Sequence, residues 1–408
     1  MTWLVVGVGL LLLVFLHELG HFLVALAVGM RPRSFYVGFP PALFKVRRNG
    51  IEYGIGMIPL GGLVRIPGMH RPAARDVDAF TGAAVREDPG LSPYVQRVRR
   101  PLEAADYDGA RAGLDDLRLQ VEHARLSPSA RRGAERALRD VDEGTGADAY
   151  WRAPTWKRIA VIAAGPLANV LVAFLIFTAV YATGAPTGNA TTRVAQVEAG
   201  APAEQAGLRS GDTIVAVNGK QATTFPRVST LIRSSKGAPI TVTVRRDGKT
   251  LVLGPKRTEL VGGRFIWGFV PTGETVSYPL GRSASMAATD LGQVVTGTGK
   301  AIGGLFHQKE RKQLTSAVGI VRASQAALTV GFNYYLQILG LVSMSLALLN
   351  LLPFLPLDGG HILFSLIERV RRRAVAREVY ERVSVIGFSL ILLVTFIALQ
   401  NDLSGGPR

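Results

Sequence analysis

The residues best suited to chemistry are His17-Glu18-Leu19-Gly20-His21. Positions i and i+4 of a helix share a face, so both imidazoles can reach one metal ion, and such a pair suits Zn2+. Glu18 follows the first ligand and is placed to act as general base on a water at the metal. The chain contains no cysteine. Thiolate sites and disulfides are therefore excluded, and any further ligand is His, Asp or Glu. A hydrolytic zinc site takes three protein ligands and keeps one position for water. The best third ligand is Asp358, in Asn350-Leu351-Leu352-Pro353-Phe354-Leu355-Pro356-Leu357-Asp358-Gly359-Gly360-His361. Pro353 and Pro356 end the preceding helix, and the two glycines let the backbone bend towards another. His361 is a rival ligand. Asn169 and Asn350 are amides at similar depth in the chain's apolar runs. They either bond substrate backbone or an oxyanion, or hold helices together.

These residues sit on or beside unusually apolar elements. Of 408 residues 48% are hydrophobic and mean hydropathy is +0.24, with the apolar residues clumped. Segments 3–28, 159–183, 334–352 and 383–399 are each long enough to cross a bilayer. His17 lies roughly 20 Å along the first from Trp3, and ionisable groups at that depth are costly and mark function. This first run lacks a basic start and is too long for a signal-peptide core, so it reads as a retained span. The net charge is +17. Arg31, Arg33, Arg152, Lys157 and Arg158 flank the first two spans, and Arg369, Arg371, Arg372, Arg373, Arg377 and Arg382 lie between the last two. That bias puts the loops after spans one and three in the cytoplasm and both termini outside. The basic balance suits anionic lipid, and no nucleic-acid fold signature accompanies it.

The loops differ in kind. Residues 31–70 are rich in Gly, Pro and strand formers, with strands expected at 35–37, 43–46 and 52–55 around turns at Pro40-Pro41 and Asn49-Gly50. Residues 71–150 turn Arg-, Ala- and acid-rich. There Leu114, Leu117, Val121 and Ala124 recur at helical spacing and predict two or three amphipathic helices. The outer loop holds an α/β module. Strands are expected at 192–197, 213–217, 240–245 and 250–253, with a helical turn at 203–206 and a helix near 227–234.

Taken together, these residues resemble the site-2 protease family, and within it the bacterial, regulator-of-sigma-E type with a PDZ domain outside the membrane. The resemblance is carried by the His17–His21 motif, by Gly165-Pro166 with Asn169, and by Asn350, Pro353, Pro356 and Asp358-Gly359-Gly360. Met57-Ile58-Pro59-Leu60-Gly61-Gly62 is similar to the family's membrane-associated β-loop. Gly200-Ala201-Pro202-Ala203, Ala206-Gly207-Leu208 and Gly211-Asp212 resemble a PDZ domain.

The resemblance implies an α-helical polytopic membrane protein with four transmembrane helices. It has a membrane-associated β-hairpin loop, a cytoplasmic helical insert and one extracytoplasmic α/β PDZ domain. In order these are a first span (1–30), the β-loop (31–70), the insert (71–150), a second span (156–184), the PDZ domain (189–275) and a linker with amphipathic segments (276–332). A third span with the ligand turn (333–364), a basic loop (365–382) and a fourth span (383–400) follow. His17, His21 and Asp358 would hold one Zn2+ per chain, with Glu18 as base. Gly61, Gly62, Asn169 and Asn350 would bind substrate, the β-loop pairing with an unwound strand. The implied substrates are single-span proteins of the bacterial cytoplasmic membrane, notably anti-sigma factors after a first cut, and signal-peptide remnants. The PDZ domain would either filter substrates by size or bind a peptide. The insert has no counterpart in the family pattern; it binds a partner, regulates access or acts as a spacer. Two non-proteolytic readings stand beside this one. A zinc-binding scaffold has no need of Glu18, and a metal transporter fits poorly with one compact site and an attached PDZ domain.

Overall fold

The computed structural model describes residues 2–304, 316–375 and 377–404. Helix α1 (Thr2–Ala27) is followed by strands β1 (Ser34–Arg48) and β2 (Ile51–Arg65). Helices α2 (Ala74–Glu87), α3 (Ser92–Glu103), α4 (Tyr107–Ala112), α5 (Leu114–His123) and α6 (Pro128–Thr145) come next, then α7 (Thr155–Gly184). A strand-rich stretch runs through β3 (Ala185–Val197), α8 (Pro202–Gln205), β4 (Thr213–Val217), β5 (Lys220–Gln221) and α9 (Phe225–Arg233). It continues through β6 (Pro239–Arg246), β7 (Lys249–Arg257), β8 (Glu259–Val261), β9 (Arg264–Ile266) and β10 (Phe269–Val276). The remainder is helical: α10 (Leu280–Gly304), α11 (Ala317–Val330), α12 (Phe332–Asn350), α13 (Asp358–Arg371) and α14 (Arg377–Ser404). Among the described residues, four helices are long and apolar enough to cross a membrane: α1, α7, α12 and most of α14. All four run past the apolar segments read from sequence at one end or both, because a helix ends at a cap or a break, not where polarity rises.

The chain divides into two compact units. One comprises Met1–Leu10, Val170–Ser345 and Val394–Arg408. Its sheet has the order β10-β3-β4-β6-β7, with β5 beside β4. Ile240, Val242 and Val244 alternate inwards along β6 and meet Val194, Ile214, Val228 and Trp267 in one buried core. Strand β10 was not foreseen, because Pro271 and Gly273 interrupt its apolar pattern; it pairs with β3 at the sheet's edge, where such residues are tolerated. The linker expected at 276–332 contains two helices, α10 and α11, and its residues 305–315 lie outside the described part.

The other unit comprises Leu11–Asn169 and Leu346–Leu393. In its small sheet Ser34 lies opposite both Glu52 and Arg65, and Val37 opposite both Ile55 and Gly62. Residues 34–37 are thus flanked on both sides, and 62–65 form an outer strand. That strand escaped the sequence reading because Gly61-Gly62 is a poor strand former. Residues 74–145 fold as five helices where two or three were expected; α5 carries the spacing read at Leu114, Leu117 and Val121, whereas α4 is too short to show a sustained period. These helices bury Val77, Val95, Val98, Leu102, Leu117, Leu138 and Val141 in a core of their own. The neck of this insert is zipped: Tyr150 N–H donates to the Pro67 carbonyl at 2.9 Å and Trp151 N–H to that of Gly68 at 3.1 Å.

Candidate metal centre

Helix α1 presents His17 and His21 on one face, as their i and i+4 spacing requires. Their Nε2 atoms lie 3.2 Å apart. Asp358, the first residue of α13, places Oδ2 3.2 Å from His17 Nε2 and 3.3 Å from His21 Nε2. These are the one group of three or more potential metal ligands among the described residues. Both histidines are buried.

The far side of each imidazole is fixed. His21 Nδ1 donates to the Val161 carbonyl at 2.8 Å, which leaves the Nε2 lone pair to the cluster. Asn169 Nδ2 lies 3.3 Å from His17 Nδ1. A metal on Nε2 would leave the proton on Nδ1, and the amide would then present Oδ1 to it, an O/N choice set by the hydrogen-bond logic of the site. Helix α7 approaches closely enough to do this because Gly165 has no side chain: a Cβ there would stand 2.2 Å from His21 Nε2.

The donor set fits zinc. Asp358 Oδ2 is buried and makes no well-formed hydrogen bond, although two ring nitrogens lie within 3.3 Å. The short contacts and the orphaned oxygen agree once the three atoms are seen to aim at a common point, not at one another. Zn–ligand bonds of about 2.0–2.1 Å at tetrahedral angles set donor atoms about 3.3–3.4 Å apart. The observed separations are 3.2, 3.2 and 3.3 Å.

Glu18 leaves the ligand face and turns to the sheet. Its carboxylate faces the Val64 backbone on the outer strand. A Cβ on Gly62 would lie 2.4 Å from Glu18 Cγ, so the strand passes directly over this side chain. Sequence reasoning missed the Val64 neighbour and the Val161 carbonyl, since backbone partners leave no mark in residue type.

The other expected site residues divide. Gly62 lies in the outer strand against Glu18, and Gly61, just before it, lies against the Phe39 ring. Asn169, expected at the substrate, is fully buried against His17 instead. Asn350 turns its amide back on its own helix, donating to the Leu346 carbonyl at 3.0 Å. His361, the rival ligand, has its ring 6.4 Å from that of Tyr380 and does not join the cluster.

Peptidase family M50 matches residues 5–394. A protein of Agrobacterium fabrum is 31% identical, over 96% of this chain and 93% of its own. The regulator of sigma-W protease RasP of Bacillus subtilis is 27% identical over 96% of this chain and 95% of the relative. The zinc metalloprotease RasP of Geobacillus kaustophilus is 29% identical over the same shares.

Proposed function

The chain belongs to peptidase family M50, and on that premise we propose that it is a zinc metalloprotease that hydrolyses peptide bonds of single-span membrane proteins within or beside the bilayer. The observation that carries the proposal is the convergence of His17 Nε2, His21 Nε2 and Asp358 Oδ2 beside Glu18. Zinc, when bound, polarises the scissile carbonyl and lowers the pKa of the attacking water. Glu18 takes the proton that this water releases and returns it to the amide nitrogen as the C–N bond breaks. One water is consumed, and a carboxyl group and an amine are formed. The outer strand, passing over Glu18 at Gly62, keeps this side chain in reach of both events.

A transmembrane helix hides its peptide bonds in its own hydrogen bonds and must be opened before it is cut. The outer strand at 62–65, with Gly61 and Gly62, holds such a segment extended by adding it to the sheet edge. Asn350 is the remaining candidate for a substrate contact. Four spans cross the cytoplasmic membrane of a bacterium, and their basic flanks put the sheet and the insert inside, the termini and the β3–β10 module outside. That module is a PDZ domain, which screens substrates by the size of their outer part or holds a peptide. The name of the Bacillus subtilis relative favours substrates in sigma-factor signalling, such as anti-sigma factors already cut outside.

The test is cleavage of a single-span peptide by detergent-solubilised protein. Glu18→Gln should lower the rate by on the order of 10²–10⁴-fold while bound zinc stays at one per chain. Cleavage at the wild-type rate in that variant would sink the mechanism.

A further inference from the structure

Several buried polar groups that the reaction does not use gather along α7 and α13. Arg158 donates from Nη1 to Glu368 Oε2 at 2.8 Å, and the two side chains are only 9 and 15% exposed. Its Nη2 lies 3.5 Å from the Ser365 carbonyl, and its guanidinium 5.7 Å from the centre of the Tyr150 ring. The Tyr150 hydroxyl is 3.4 Å from Ser365 Oγ, both buried. Glu368 Oε1 accepts from Val375 N–H at 3.0 Å, so this carboxylate also ties down the turn that ends α13.

A buried ion pair is poor glue. Stripping water from two charges cancels most of their attraction, and an apolar pair of similar volume often stabilises as well or better. What Arg158 supplies is direction, because one planar guanidinium reaches two points of α13, Glu368 through Nη1 and the Ser365 carbonyl through Nη2. The helices it joins both carry the metal centre. Helix α13 begins at Asp358, and Ser365 lies about two turns further along the same face. Helix α7 offers the Val161 carbonyl to His21 about one turn beyond Arg158, then makes room for the ring at Gly165.

We infer that Arg158 and Glu368, with Tyr150 and Ser365, form a positioning clamp that sets the rotation and height of α13 on α7, and through them the place of Asp358 Oδ2 against the two imidazoles. This rests on the zinc reading of the centre. The clamp touches neither metal nor substrate. Its effect on the reaction passes through Asp358, whose helix is free to turn once the fork is lost.

The experiment compares purified wild-type chain with Glu368→Gln, Arg158→Lys and Tyr150→Phe. It measures zinc affinity by chelator competition, the visible absorption of the Co2+-substituted protein, and the melting of the metal-free chain. Glu368→Gln strands the buried Arg158 charge and should lower metal-free melting, and it should also lose about ten-fold or more in zinc affinity and alter the Co2+ band, beyond what that lower stability accounts for. Arg158→Lys keeps the charge without the fork and should fall between it and wild type. Tyr150→Phe, a mild change that leaves the ion pair, should show a smaller loss of the same sign. Wild-type affinity and an unaltered Co2+ band in Glu368→Gln and Tyr150→Phe overturn the clamp. So does a loss of affinity that only tracks a loss of metal-free stability. Failure of the wild-type chain itself to hold zinc would instead overturn the reading of the centre.

Discussion

Asp212 and Asp358 are both carboxylates set against basic side chains, and they are satisfied in opposite ways. Asp212, in the β3–β10 module, receives the Arg246 fork at 2.6 and 2.7 Å and the Arg209 N–H at 2.9 Å. The donors come to it ready charged, and Arg246 also donates to the Gly207 carbonyl at 2.7 Å. Burial pushes the Asp212 carboxyl up, but the bonds from Arg246 and the Arg209 backbone outweigh it and hold the group below its usual range. Asp358 meets two imidazoles, and His21 commits its proton to the Val161 carbonyl, so a lone pair faces a lone pair there. The first cluster is closed and serves the fold. The second has the donor set to hold a cation and, under the proposed function, serves chemistry. Carboxylate and base at short range do not by themselves mark a site; the direction of the protons does.

The contrast is broken most severely at the metal centre. Asp358→Ala should leave less than a tenth of the wild-type zinc and no measurable cleavage, as read by metal analysis and peptide hydrolysis; a full zinc equivalent in that variant would make the two clusters alike. A smaller effect is expected from Asp212→Ala. It strands Arg246 and should destabilise the module by about 2–4 kcal/mol, seen as earlier proteolysis in the 189–275 region, with zinc content unchanged. The mildest probe is pH. A carboxyl whose folded pKa is depressed contributes stability that is full above its unfolded pKa, about 3.9, and is lost as pH falls through the folded value. Module resistance to an acid-tolerant protease should thus be flat from neutral pH to about pH 5 and decline below pH 4, and Asp212→Asn should flatten that decline.

The candidate site was legible in the sequence where side-chain type carries the chemistry. His17, His21 and Asp358 were nameable because His and Asp are rare in apolar runs and lie at helical spacing or after a helix break. Asn169 was nameable as a residue but not in its partner, since an amide serves substrate and imidazole equally well. The Val161 and Val64 backbone contacts were invisible, as any residue type supplies them. Gly165 gave an indirect signal: a bare backbone facing a histidine ring is where helices meet. In the fold, long apolar helices and the alternation of β6 were readable. The strand at 62–65 and the short helix α4 of the insert were not, because tertiary pairing, not local propensity, holds them.

The zipped neck at Pro67, Gly68, Tyr150 and Trp151 has a bearing on how such a chain evolves. Departure and return points that are hydrogen-bonded neighbours make the stretch between them an exchangeable cassette. The backbone course of the substrate-side strand and of α7 is set at the seam, not by what lies beyond it. A lineage is then free to lengthen, prune or replace these helices, and with them whatever they answer to, while the candidate metal centre is inherited intact.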